Sequence, residues 1–165
     1  MVLTKEELIA SLQNEVRIFL HLMSKIDREK LDYRPSAKQR STLELIRYMS
    51  YMAPGLTASI KGSGFDVPAW NAASAAANAL DYDGLEAAIG RQSGDLAEAI
   101  GSMSDGDLRA EIDMFGRKAT RGMLLVTMVL NGFAAYRTQL FLYLKACGRE
   151  ELNTWNLWAG MDGTM

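Results

Sequence analysis

The sequence predicts an all-α protein: one four-helix bundle over residues 1–165, with irregular connections and a packed C-terminal tail. Four separate segments carry apolar residues at spacings of three and four, the period of a half-buried helix. No segment alternates convincingly as a strand, and no repeat or sustained heptad pattern is present. With 165 residues, 48% hydrophobic and 23% charged, the chain is long enough to bury one core without disulfides, and its composition excludes a disordered or collagen-like protein.

The first helix is predicted to open at Thr4, where Thr4 and Glu7 form a capping box that satisfies free backbone N–H groups. Leu8, Leu12, Val16, Phe19, Met23 and Ile26 then form its inward stripe, with Asn14, Arg17 and Arg28 opposite. Pro35 biases Arg34 away from helical angles, so Asp32–Ala37 reads as a loop. Ser41 and Glu44 form a second capping box, opening a helix whose stripe is Leu45, Tyr48, Met49, Met52 and Leu56. Pro54-Gly55 is expected to kink or end that helix between Met52 and Ile60.

A long, partly helical connection follows over residues 61–81. The third helix is placed from an Asp83 N-cap to Gly101, with Leu85, Ile89, Leu96 and Ile100 inward. Residues 108–115 read as extended or as a short helical turn. Thr120 caps the last helix, which runs to about Ala146 and ends at Gly148; its inward stripe is Leu125, Val129, Gly132, Tyr136, Leu140 and Tyr143.

Eighteen basic against twenty acidic residues give a net charge of −2, too little positive field to hold a nucleic acid or an anionic membrane. Met1–Glu7 places charge ahead of any long apolar run, the wrong order for a secretory signal, and the nearly uncharged stretch 122–136 is too short to span a bilayer. Cys147 is the one cysteine, so a cytoplasmic, reducing compartment is expected. Beside the C-cap it faces the negative end of a helix, which raises the thiol pKa and disfavours a nucleophile. The one histidine, His21, falls between Arg17 and Lys25 on the polar side of the first helix and reads as solvated. With these counts, no hydrolase elbow, HExxH or P-loop is present.

Tyr136-Arg-Thr-Gln-Leu-Phe-Leu-Tyr-Leu-Lys145, Gly148 and Asn156-Leu-Trp-Ala-Gly160 resemble the C-terminal signature of the DinB-like superfamily. Ser41-Thr-Leu-Glu-Leu-Ile-Arg-Tyr-Met49 resembles that family's second-helix motif, and the resemblance covers most of the chain. It implies a four-helix bundle, often dimeric, in which many members bind a divalent metal through three histidines and some are thiol-dependent transferases or isomerases. The positions matching those histidines are Tyr48, Gly132 and Tyr136, so the expectation is a degenerate site with no metal and no cofactor.

Two readings of that place stay open: the tyrosines fill the space, or they line an apolar pocket with Trp70 or Trp158 as a wall and Met49, Met52, Met114, Met123 and Met128 as adaptable lining. Arg117, Lys118 and Arg121, around a helix N-terminus, are candidates for an anion site, or else a solvated run paired with Asp113 or Glu111. Arg137 lies off the inward stripe and is expected to pair with a carboxylate at the surface or at a dimer seam; it and Gln139 are read as structural. Leu152, Trp155, Leu157 and Trp158 give the tail an apolar surplus that must pack on the bundle or on a second copy, and with the resemblance this predicts a homodimer. The expected function is binding of a small molecule, or action as a dimer without turnover. The alternative is a metal-independent transferase or isomerase using Tyr48 and Tyr136 as proton donors.

Overall fold

A computed structural model describes residues 3–62 and 64–163, so the first two residues of the Met1–Glu7 stretch lie outside the described residues. Four long helical rods make the bundle: α1 (Lys5–Met23), α2 (Thr42–Lys61), α4 (Tyr82–Gly101) and a last rod built of α6 (Arg121–Leu124), a π-helical stretch (Leu125–Leu130) and α7 (Asn131–Ala146). Between them lie a 3₁₀ turn (Arg28–Lys30), α3 (Val67–Asn78), the short α5 (Asp105–Arg109) and an antiparallel hairpin of β1 (Glu111–Met114) and β2 (Arg117–Thr120). One hydrophobic cluster draws on all four rods and on Ile112 and Met114 of the hairpin. No described helix is long and apolar enough to cross a membrane.

Both capping boxes form: Glu7 N–H donates to Thr4 and Glu44 N–H to Ser41, with each glutamate accepting in return from its cap's backbone. Thr120 caps the last rod, and Gly148 follows it at φ 98°, the left-handed geometry expected of a helix stop. The third long helix is capped by Asp81 rather than Asp83; Asp81 accepts from Gly84 N–H, while Asp83 pairs with Arg28 at 2.7 Å.

Helix α2 does not end at Pro54-Gly55 but runs through to Lys61. A proline here removes the N–H that would bond to the Ser50 carbonyl. Buried Gln92 of α4 repairs the gap, its amide nitrogen donating to Met49 O (2.8 Å) and Ser50 O (2.9 Å).

The π stretch corrects the inward stripe of the last rod. Leu125, Val129, Phe133 and Arg137 are all buried and recur every four residues. That period exceeds the 3.6 of an α-helix, and only local underwinding keeps such residues on one side. Phe133 and Arg137 therefore face the core, whereas Gly132 and Tyr136 are half-buried at its flank. Arg137 meets its carboxylate inside the bundle, not at a surface or seam: its Nε lies 2.6 Å from buried Glu15.

The tail docks on the rods. A π turn (Trp155–Ala159) seats Asn156 in the interior, Arg137 donates to Leu157 O, and Arg17 donates to Ala159 O (2.7 Å) and Gly160 O (3.1 Å). A Cβ on Gly160, at φ 59°, would come within 3.0 Å of the Ile18 backbone, so this close approach requires glycine. The docked tail also covers His21: its side chain is only 15% exposed, with Nε2 3.1 Å from Asn156 Nδ2 and 3.7 Å from Asp162. Burial, reinforced by Lys25, holds its pKa below the ordinary histidine value.

Candidate functional site

The second helix, α3, the hairpin tip and the last rod enclose a cleft of about 480 Å³. Helix α2 contributes Tyr48, Met52 and Leu56, the α3 region Phe65 and Trp70, the hairpin Phe115, and the last rod Met128, Gly132 and Tyr136 among others. Three ring pairs meet edge to face, Tyr48 with Tyr136 at 5.1 Å and with Trp70 at 6.2 Å, and Trp70 with Tyr51 at 5.0 Å, centroid to centroid, while Phe65 is tilted against Trp70 at 5.1 Å. Such pairs are the preferred geometry of aromatic quadrupoles and make a stiff wall.

Electrostatics at the cleft centre on Tyr48. Burial and the adjoining Tyr136 hold its hydroxyl protonated well above the usual phenol range, and the nearby Arg40 cation opposes that only in part. The Arg40 guanidinium sits 4.0 Å from the Tyr48 ring centroid, a cation–π contact. The lining carries no acidic side chain among the described residues.

Sequence-predicted residues Tyr48, Gly132, Tyr136 and Trp70 thus come together. Trp158 does not join them. It lies 65% exposed on the docked tail, its ring 5.0 Å from the Arg137 guanidinium, because the tail folds back over α1 rather than toward α3. Of the predicted methionines, Met52 and Met128 line the cleft, Met49 and Met114 are buried in the core, and Met123 is 58% exposed elsewhere.

Arg117, Lys118 and Arg121 do not assemble an anion site. Arg117 and Lys118 belong to an exposed strand, and Arg121 donates to Ile60 O (2.9 Å) and Gly62 O (3.0 Å), where it neutralises the carbonyl end of α2. Asp113 binds neither cation. Its carboxylate accepts from Gly116 N–H and closes the hairpin turn.

Tyr48, Gly132 and Tyr136, the positions that the sequence resemblance matches to metal-binding histidines, do not fit a divalent ion. Gly132 offers no donor, burial and Tyr136 hold the Tyr48 phenol protonated, and the space beside Gly132 is taken by the Met52 side chain, its terminal methyl 3.1 Å from where a Cβ would stand. Among the described residues no three His, Cys, Asp or Glu side chains converge.

Sequence reasoning missed Phe65 and Phe115 as cleft residues. A Phe-Gly pair between two short alternating runs was the available signal for a hairpin that brings Phe115 here. A second groove of about 410 Å³ lies among α1, α5 and α6, but no aromatic side chain lines it, and the hydroxyls of Thr4, Thr120 and Thr127 are spent on nearby backbone.

The fold is that of the DinB-like helical bundles. The chain is similar to a solved DinB-like protein, YjoA, from Bacillus subtilis, with a TM-score of 0.69, 20% sequence identity, and 90% of this chain and 96% of that chain covered. No protein-family model matches the sequence, and no curated protein does.

Proposed function

We propose that this chain is a metal-independent small-molecule-binding protein built on the DinB-like fold, with the aromatic cleft as its site. The observation that carries the reading is the concentration of Tyr48, Phe65, Trp70, Phe115 and Tyr136 around one open cleft, where a filled core would have left no room. Binding rather than turnover is favoured because a Tyr48 phenol whose pKa is raised by burial and by Tyr136 gives up its proton reluctantly. A transferase or isomerase using Tyr48 and Tyr136 as acids is the competing reading.

Native mass spectrometry of the purified chain tests the proposal. A retained small molecule is expected, and it should be lost from Ala135→Trp, which places an indole at the exposed lip of the cleft. A retained molecule indifferent to Ala135→Trp and to Tyr136→Ala would place binding elsewhere. Loss of a detected turnover in Tyr48→Phe, with binding intact, would favour the enzyme.

A second reading concerns assembly. Trp155 and Trp158 are 47% and 65% exposed and flank a groove of about 390 Å³, an apolar surface suited to a second copy of the chain. A homodimer is expected in sedimentation at tens of micromolar, and Trp158→Glu should return it to monomer. A wild-type monomer at that concentration refutes it. The single free cysteine suits a reducing, cytoplasmic setting.

A further inference from the structure

We infer that the cleft takes a flat aromatic molecule with an oxygen acceptor at one end, and that Phe115 at the hairpin tip closes over it. This rests on the binding role proposed above.

The hairpin turn is built against its own backbone preference. Phe115 and Gly116 both have positive φ, 57° and 77°, in a two-residue loop between Met114 and Arg117. That sign pair belongs to a type I′ turn, where Asn-Gly or Asp-Gly is favoured because a short polar side chain tolerates the left-handed region. Phenylalanine has no such compensation. Nor does core packing explain it, since Phe115 is 62% exposed. A strained residue that gains little from folding points to a role beyond folding.

The Phe115 ring lies 4.8 Å from Phe65 and at the cleft mouth. Phe65 continues to Trp70, Trp70 to Tyr48 and Tyr48 to Tyr136, so a row of rings runs from the hairpin tip to the last rod. A flat aromatic guest can make edge and face contacts with several of these at once, and a saturated molecule of equal volume cannot.

The far end of the row sets the polarity. Tyr48 and Tyr136 line that end, and because a hydrogen bond between their side chains helps to raise the Tyr48 pKa, one phenolic O–H of the pair is left for a guest, with the Arg40 cation 4.0 Å from the Tyr48 ring centroid adding positive potential beside it. With no acidic side chain in the described lining, a cationic guest would sit near a guanidinium without a counter-charge. An acceptor oxygen suits the site.

Naphthalene-2-carboxylate is the probe, titrated into the full chain and followed by tyrosine-ring NMR and calorimetry. Phe115→Asn should melt at the wild-type temperature or up to about 3 °C above it, because asparagine relieves the turn. The same variant should bind the probe roughly 3- to 10-fold more weakly through the lost ring contact. A purely structural Phe115 predicts the reverse: a lower melting temperature and unchanged binding. Equal affinity in Phe115→Asn would overturn the closing role. Equal affinity for saturated decahydronaphthalene-2-carboxylate would overturn the flat-guest assignment, and tighter binding of naphthyl-trimethylammonium would overturn the acceptor end. If the folded wild-type chain binds none of the three, the binding role itself fails instead.

Discussion

Removing one member of the Glu15–Arg137 pair should cost far more than removing both. The two side chains are 11% and 6% exposed and meet at 2.6 Å in the bundle interior. Burial raises the Glu15 pKa even against the opposing pull of Arg137, so desolvation is the dominant effect on this carboxyl. Glu15→Ala leaves a buried guanidinium without its anion, a loss of about 3–5 kcal/mol. For a domain of this size that is a fall in melting temperature on the order of 10 °C. Arg137→Met should cost a similar amount and also loosen the tail, since Arg137 donates to Leu157 O and lies against Trp158. The double variant Glu15→Leu/Arg137→Met removes both charges and should return to within roughly 1–2 kcal/mol of wild type, the residue being the orphaned Leu157 carbonyl. Urea denaturation of the four proteins gives the coupling energy. Additive losses, or a Glu15→Ala cost below about 1 kcal/mol, would show that solvent already screens the pair. The sign with pH is also fixed. A folded pKa above the ordinary 4.5 means that the native chain holds more protons than the unfolded one just above that value. Glu15 therefore favours folding most in acid, and its contribution falls as pH climbs through that window; Glu15→Leu should flatten the slope.

His21 has the opposite sign: its folded pKa lies below the ordinary 6.5, facing Lys25, Asp162, Arg17 and Asn156, so its contribution is full above pH 6.5 and is lost as pH falls. Thermal melts across that range should show less acid destabilisation in His21→Gln than in wild type, and an unchanged pH dependence would refute the burial of the ring. Gln92→Leu should cost about 1–3 kcal/mol by orphaning the Ser50 carbonyl, and clearly less in a Pro54→Ala background, where α2 regains its own N–H donor; equal costs would deny that Gln92 repairs the proline gap. Wild type should not be stabilised by zinc, whereas Tyr48→His/Gly132→His/Tyr136→His, with Met52→Ala to clear the 3.1 Å contact, should gain a zinc-dependent melting temperature. A folded variant indifferent to zinc would show that these positions do not converge on a metal.

Elements governed by local rules were legible in the sequence. Thr4, Ser41 and Thr120 cap where their side-chain chemistry says they should, and Leu85, Ile89, Leu96 and Ile100 face inward because nothing perturbs the helical period of α4. What escaped depends on partners remote in sequence. Pro54 reads as a helix kink or stop until Gln92, on another rod, replaces the donor it removes. Arg137 reads as outward until the π stretch turns it toward Glu15. Arg121 reads as an anion ligand until the end of α2 arrives to use its guanidinium. Trp158 reads as an alternative to Trp70 for the cleft wall, because residue type says nothing of the path taken by a docked tail. The hairpin was missed because its strands have four residues each and its turn carries the wrong residue for a strong signal.

These departures from local rules are not scattered. Pro54 and Gly55 interrupt the α2 pattern beside the cleft, and Gly55 is where Trp70 presses in, 3.0 Å from where a Cβ would stand. The π stretch lies on the cleft's opposite wall and displaces Gly132 and Tyr136 from the core to its flank, and the strained Phe115 sits at its mouth. The second groove has no comparable set: its walls are regular helix ends and satisfied caps. A fold optimised for stability alone would replace Gly55 and Phe115 with better local choices, but a side chain at Gly55 would meet the Trp70 ring and an exchange of Phe115 would remove a ring from the cleft lining. The Gly55 approach, the π stretch and the strained Phe115 border one volume, the pattern that the proposed binding role predicts.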